Sequence, residues 1–162
     1  MATLHLMVGL PGSGKTTLAR ELEIAHAALR LTPDEWHIRL FGNDVHDDSD
    51  DADWAVHNDR HDAIEALLWE TAARALALGM DAILDFGFWT RGERDDFRAR
   101  ARDLGVGLRV HFADASPEQL LERTRARNAA RPAGAFHIPE PKLREWIAVF
   151  EPPGADELTF TR

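Results

Sequence analysis

The sequence predicts an α/β fold in which helices cover both faces of a parallel sheet, and three observations predict it. Short β-branched and apolar runs alternate with longer stretches of helical period along the chain, and such alternation implies parallel pairing through right-handed crossovers. The first of these runs leads directly into a glycine-rich turn and then a helix. The 162 residues suit one domain of the usual ~100 to 200 residues, so the segment 1–162 is read as a single domain with a real hydrophobic core.

Taken in order, Thr3 to Val8 is a β-branched and apolar strand, followed by Gly9-Leu10-Pro11-Gly12-Ser13-Gly14-Lys15-Thr16-Thr17 and a helix carrying Leu18, Leu22 and Ala25. Leu29 to Thr32 is a second strand closed by Pro33, and Asp34 to Phe41 a brief helix ending at Gly42. From Asn43 to Asp62 eight Asp and three His with few aliphatics predict an acidic, solvated insertion running into a helix. That helix, about Val56 to Leu78, repeats Ile64, Leu67, Leu68, Ala72, Ala75 and Leu76 at helical spacing and stops at Gly79. Ala82 to Phe86 is a third strand holding a single acid, Asp85. Thr90 to Leu104 is an arginine-rich helix, and Leu108 to Phe112 a fourth strand. Ser116-Pro117-Glu118-Gln119 combines an N-cap, proline at the first helical position and glutamine three residues after the cap. Arg127 to His137 is a mobile loop, Pro141 to Phe150 a last helix and Leu158 to Thr161 an edge strand.

Gly9 to Thr16 fits G-x-x-x-x-G-K-[ST] in full, after a strand and at a helix N-terminus, where a phosphate-binding loop has to lie. Glycines allow backbone N–H groups to turn around a polyphosphate while the helix dipole adds positive potential. Gly9, Gly12, Ser13, Gly14, Lys15, Thr16 and Thr17 are thus candidate nucleotide-binding residues. Lys15 reaches the β and γ phosphates, and Thr16 offers its hydroxyl to Mg²⁺. The loop predicts a nucleoside triphosphate, read as ATP with Mg²⁺, without naming the reaction. Guanine-selective switches carry an Asn-Lys-x-Asp tetrapeptide, and lysine occurs here only at 15 and 142; a motor ATPase needs more chain. Small phosphotransferases remain.

Composition narrows the setting. A net charge of −9 argues against a dedicated, sequence-independent binder of duplex nucleic acid. The lack of cysteine excludes disulfides, a thiolate nucleophile and Cys-ligated zinc, and suits a reducing cytosol. The apolar start Leu4 to Leu10 is too short to span a membrane and lacks a basic n-region. A cytoplasmic protein with no membrane and no obligate protein partner is expected.

Four blocks in order carry a resemblance: the loop 9–17, then Thr32-Pro33-Asp34-Glu35-Trp36, then Ile83-Leu84-Asp85-Phe86-Gly87-Phe88-Trp89 followed by Arg91 and Arg94, then Leu120 to Asn128. Over about residues 3 to 150 the chain resembles the small P-loop kinase group, AAA-type ATP-binding proteins such as the kinase domain of phage-type polynucleotide kinase, chloramphenicol phosphotransferase and zeta-toxin-like kinases. The resemblance implies a P-loop NTPase three-layer sandwich of the nucleoside/nucleotide-kinase type. It also implies γ-phosphate transfer to an alcohol, with a lid over ATP at about 123–138.

Transfer to an alcohol needs a carboxylate to orient the hydroxyl and accept its proton. Asp34, at the C-terminal end of the second strand, is the candidate, and the resemblance puts the group's acceptor-side Asp there. On sequence alone Asp34 also suits the N-cap of the helix that follows. Asp85, a charge in an apolar strand, needs a partner; a metal-side or substrate-side place near Thr16 supplies one, and so would a structural ion pair. Trp36 and His37 sit where an acceptor could be recognised. Phe86, Phe88 and Trp89 suit an acceptor pocket or the core equally. Arg91 and Arg94, at the start of their helix, are candidates to hold an anionic acceptor, while Arg98, Arg100 and Arg102 belong to a salt-bridged face. Arg123 and Arg127 share a helical face, and the resemblance places a lid arginine at or near Arg123. His46, His57 and His61 form no H-E-x-x-H pattern and predict no zinc site. The acceptor is therefore expected to be a small molecule or nucleotide-like compound. A 5′-hydroxyl polynucleotide end is the alternative, given ten Arg against seven acids between 91 and 131. A non-catalytic ATP-binding module is the alternative from another class.

Overall fold

Side-chain parity along the strands decides what each face of the sheet packs against. In the computed structural model, which describes residues 1–158, the elements are β1 (Thr3–Val8), α1 (Lys15–His26), β2 (Leu29–Leu31), α2 (Pro33–Phe41), α3 (Asp51–Ala77), β3 (Ala82–Gly87), α4 (Arg91–Asp103), β4 (Gly107–Phe112), α5 (Pro117–Ala130) and α6 (Glu140–Val149). The four strands pair in parallel in the order β2-β3-β1-β4. Leu4 lies opposite Ala82 and Leu108, and Leu6 opposite Leu84 and Val110. With a period of two, these residues point together to one face, where they meet Ile64, Leu68, Ala72 and Leu76 of α3 and Phe97 and Ala101 of α4. The other face carries Met7 and Ile83 against Leu18, Ala19 and Leu22 of α1. The result is three layers, helix, sheet and helix, as the alternation predicts.

A second apolar cluster forms over the C-terminal ends of the strands, from Leu10, Val45, Trp54, Leu120, Phe136, Ile138 and Leu143. It roofs the crevice where open α/β sheets bind ligands. It also pins the loop after α5: Phe136 and Ile138 are buried, and the Asn128 side chain bonds both the N–H and the carbonyl of Ile138.

Two boundaries differ from expectation, one being the end of α5, which runs on to Ala130 into the stretch expected as loop. The acidic insertion is shorter than the composition suggests, because α3 begins at Asp51. Asp50 accepts from the Asp53 N–H while the Asp53 side chain accepts from the Asp50 N–H, and Trp54 and His57 are already buried one turn later. The strand expected from Leu158 to Thr161 falls, after Leu158, outside the described residues. No described helix is long and apolar enough to cross a membrane.

His5 of β1 and His111 of β4 face the α1 layer with a ring nitrogen of each 2.9 Å apart. Burial, reinforced by nearby cations, holds both well below the ordinary 6.5, at about 4. A folded-state value below the unfolded one means that protonation favours the unfolded chain, so this stabilisation is complete above 6.5 and is lost as pH falls through about 4. The urea midpoint should therefore drop across that window, and drop less in His111→Gln; an unchanged slope in the variant would contradict the assignment.

Candidate active site

The phosphate-binding loop has the backbone its glycines allow. Gly12 and Gly14 have φ of +85° and +94°, and Gly14 ends the loop in the left-handed region without a side-chain cap on α1. The first-turn N–H groups of Lys15, Thr16 and Thr17 are thus left for an anion. A Cβ at Gly12 would come within 2.9 Å of Thr124 Oγ1, so α5 lies directly on the loop and no larger residue fits. Gly9 and Ser13 form the floor of the turn, the Gly9 N–H bonding the Gly87 carbonyl at the end of β3.

Parity on β3 places Asp85 with Ile83 on the α1 face, beneath the loop. Asp85 is buried; Oδ2 accepts from Thr16 Oγ1 at 2.7 Å and from Thr32 Oγ1 at 3.2 Å, and Lys15 Nζ lies 3.4 Å from Oδ1 as an ion pair. Oδ1 itself has no hydrogen-bond partner. Thr32, at the end of β2, also accepts from Arg30. The hydroxyl, the carboxylate and the amine suit a hydrated Mg²⁺ with a phosphate chain: oxygen donors for the metal and a cation for the phosphates. The structural ion pair open to Asp85 is met by Lys15, and it is made with the P-loop itself.

Asp34 is not the helix cap. Thr32 takes the N-cap position of α2 and Pro33 the first turn's start, so Asp34 occupies the second helical position with its side chain aimed outward, 42% exposed. It stands where two cavities meet. One, of about 350 Å³, follows the P-loop past Gly12, Lys15, Thr16 and Thr17 to Arg123 and Arg127. The other, of about 310 Å³, is walled by Trp54, Phe86, Phe88, Trp89, Phe136 and Trp146. Pro11, Lys15 and Asp34 line both. Phe86, Phe88 and Trp89 serve wall and core together, Phe88 being buried against the main core. Asp62, Glu65 and Glu93 also line the aromatic cavity, and Lys15 is its one lysine or arginine among the described residues.

The helix that follows β4 brings Arg123 and Arg127 to the P-loop side. Arg123 donates to the Gly12 and Ser13 carbonyls at 3.3 and 3.4 Å. Arg127, one turn on, is buried at Nε without a partner; burial lowers its pKa from the ordinary arginine value, and the Asp34 charge offsets part of that. A half-buried guanidinium beside a phosphate cradle, its Nε unpartnered among the described residues, is the electrostatic complement of a transferring phosphoryl group.

Four sequence candidates are carried elsewhere. On α2, Trp36 lies about 200° and His37 about 300° around the axis from Asp34 at ~100° per residue; Trp36 is exposed away from both cavities, and His37 is buried against Asp44. Arg91 is on the surface with Asp156 and Asp95. Arg94 is fully buried, donating to both Glu157 carboxylate oxygens and to the carbonyls of Phe88 and Glu151. It ties the C-terminal segment to the turn after β3 and has no donor facing an acceptor. Thr32 and Asp44 escaped the sequence reading. Thr32 had a signal, a hydroxyl at a strand end before the candidate carboxylate, whereas Asp44 was one of eight in an acidic run.

Fold and site together define a P-loop protein of the three-layer α/β type. The chain belongs to the AAA domain family, whose model matches residues 4–153. Among solved structures it is similar to a candidate kinase of Chloroflexus aurantiacus, with a TM-score of 0.71 at 20% identity over 94% of this chain and 81% of that one. A gluconokinase from Sinorhizobium meliloti follows with a TM-score of 0.62 at 21% identity, over 97% of this chain and 79% of that one. Kti12 of Chaetomium thermophilum, in complex with ADP-AlF3, has a TM-score of 0.65 at 21% identity, over 93% of this chain and 81% of that one. At such identities the likeness is one of fold, and it bears out the resemblance to P-loop kinases. Nothing among curated proteins matches.

Proposed function

We propose that the protein is an ATP- and Mg²⁺-dependent kinase that moves the γ phosphate directly onto a hydroxyl of a small acceptor. The observation that carries this is the position of Asp34 at the one junction of the phosphate cradle and the aromatic cavity. A module that only binds ATP has no use for a part-exposed carboxylate there. Backbone amides from Gly12 to Thr17 and Lys15 hold the phosphates. Thr16 and Asp85 would hold magnesium, which when bound neutralises charge on the β and γ oxygens. Asp34 accepts the proton of the acceptor hydroxyl as its oxygen bonds to the γ phosphorus and the bond to the β–γ bridging oxygen breaks. Arg123 and Arg127, with Lys15, balance charge on the phosphoryl oxygens and the departing ADP. Like the lack of cysteine, this reaction fits the cytoplasm.

The cavity's chemistry selects the acceptor. Its aromatic walls suit an apolar or ring-bearing body, and its acids repel an anion. Five of the ten arginines between 91 and 131 that could suit a polynucleotide end, Arg91, Arg94, Arg98, Arg100 and Arg125, are each paired with carboxylates of the chain. The acceptor class is thus a neutral or cationic small hydroxyl compound. With γ-labelled ATP and equal concentrations of nucleosides, aminoglycoside and phenyl-bearing alcohols, sugar phosphates and 5′-hydroxyl oligonucleotides, label should pass to the uncharged or cationic group. Preferential labelling of the oligonucleotides or sugar phosphates would overturn the acceptor class.

A further inference from the structure

Three imidazoles converge at the edge of the aromatic cavity: His37 of α2, and His57 and His61 one turn apart on α3. Their ring centroids lie 4.5 Å (37 to 57), 5.7 Å (37 to 61) and 5.9 Å (57 to 61) apart. His37 Nε2 is 2.9 Å from Asp44 Oδ2 and His57 Nδ1 2.7 Å from Asp44 Oδ1. A carboxylate only accepts, so those ring nitrogens carry the hydrogens and the lone pairs sit on His37 Nδ1 and His57 Nε2. Arg60 donates to Asp44 at 2.9 Å and holds it in place. On the third ring His61 Nε2 is 3.4 Å from Glu65 Oε1, leaving Nδ1.

His37 Nδ1 and His61 Nδ1 are both buried without a hydrogen-bond partner, and His37 is entirely inaccessible. Two buried ring nitrogens without a hydrogen-bond partner are costly unless something accepts their lone pairs. One nitrogen from each ring falls within 4.8 Å of the other two. The edge of a tetrahedron with bonds of ~2.0 Å is roughly 3.3 Å, so the nitrogens have to close by up to about 1.5 Å, and the stacked rings to turn, for the set to hold an ion.

We propose that His37, His57 and His61 form a three-histidine site for Zn²⁺, with Asp44 and Glu65 as the outer carboxylates that fix ring orientation. Nitrogen ligands favour zinc over magnesium or calcium, which take oxygen. A carboxylate behind each ligating ring is the arrangement that sets tautomer and basicity at metal histidines. His57 and His61 line the acceptor cavity, so the fourth coordination position opens into it. The site stands independently of the kinase reading. It was hidden from the sequence because its first ligand lies 20 residues before His57, in another helix, while exposed His46 takes no part.

The test is calorimetric titration of ZnCl₂ into the full chain after chelator treatment, with the visible spectrum of the Co²⁺-loaded protein as a second readout. Saturable binding of one ion per chain is expected, with the d–d bands of a four-coordinate nitrogen site. Asp44→Asn should weaken Zn²⁺ by about 10- to 100-fold. His61→Gln, at a part-exposed position, should weaken it more, while His46→Gln leaves it unchanged. Absence of one-to-one binding by the wild type, an octahedral Co²⁺ spectrum, or equal affinity in His61→Gln and the wild type would each overturn the proposal.

Discussion

Asp34→Asn should bind ATP as the wild type does and transfer phosphate about 100- to 10,000-fold more slowly, the usual range for a positioned acid or base. The amide keeps the size and hydrogen-bonding reach of the carboxylate but does not take the hydroxyl proton. Among the described residues Asp34 makes no hydrogen bond, and its ionic partner, His61 Nε2, is 3.9 Å away, so the thermal midpoint should stay close to that of the wild type. Binding by calorimetry and turnover by label transfer separate the two effects. Equal loss of ATP affinity and transfer would make Asp34 part of the nucleotide site, and undiminished transfer would remove it from the reaction.

Lys15→Ala should cost at least about 100-fold in transfer, the magnitude found when one preorganised donor to a developing charge is removed. It should also weaken nucleotide binding, because Lys15 is the cation on both sides of the junction where Asp34 stands. A second consequence follows from the same side chain: Asp85, buried and paired with Lys15, keeps only the Thr16 and Thr32 hydroxyls. Leaving a buried carboxylate without its cation is destabilising, and a lowered urea midpoint should accompany the kinetic loss. Full turnover with only a raised KM for ATP would show that Lys15 contributes uniform binding and no transition-state stabilisation.

Much of this molecule was legible because the relevant physics is local. The P-loop is a contiguous pattern whose glycines, helix start and lysine act within nine residues, and Asp85 stands out as the single acid in an apolar strand. Asp34 was legible from its place after a strand. What sequence reading misplaced depended on partners far along the chain. Arg94 looked like a free cation beside a strand end because Glu157, which neutralises it, is 63 residues away. Trp36 is close to Asp34 in sequence and turned away from it by the helix, while His37, one turn on, is buried against Asp44. The acidic run around Asp44 read as solvated because composition cannot show that one of its eight aspartates bridges two histidines and Arg60.

If the two cavities meeting at Asp34 form one transfer site, the γ phosphate has to end on the acceptor. Wild-type protein with Mg²⁺, γ-labelled ATP and the panel of hydroxyl acceptors should place the label on an acceptor, with little inorganic phosphate released and with transfer abolished by Asp34→Asn. Tight ATP binding with the label retained in ATP, or released only as inorganic phosphate across the whole panel, would contradict the account and leave a nucleotide-binding module.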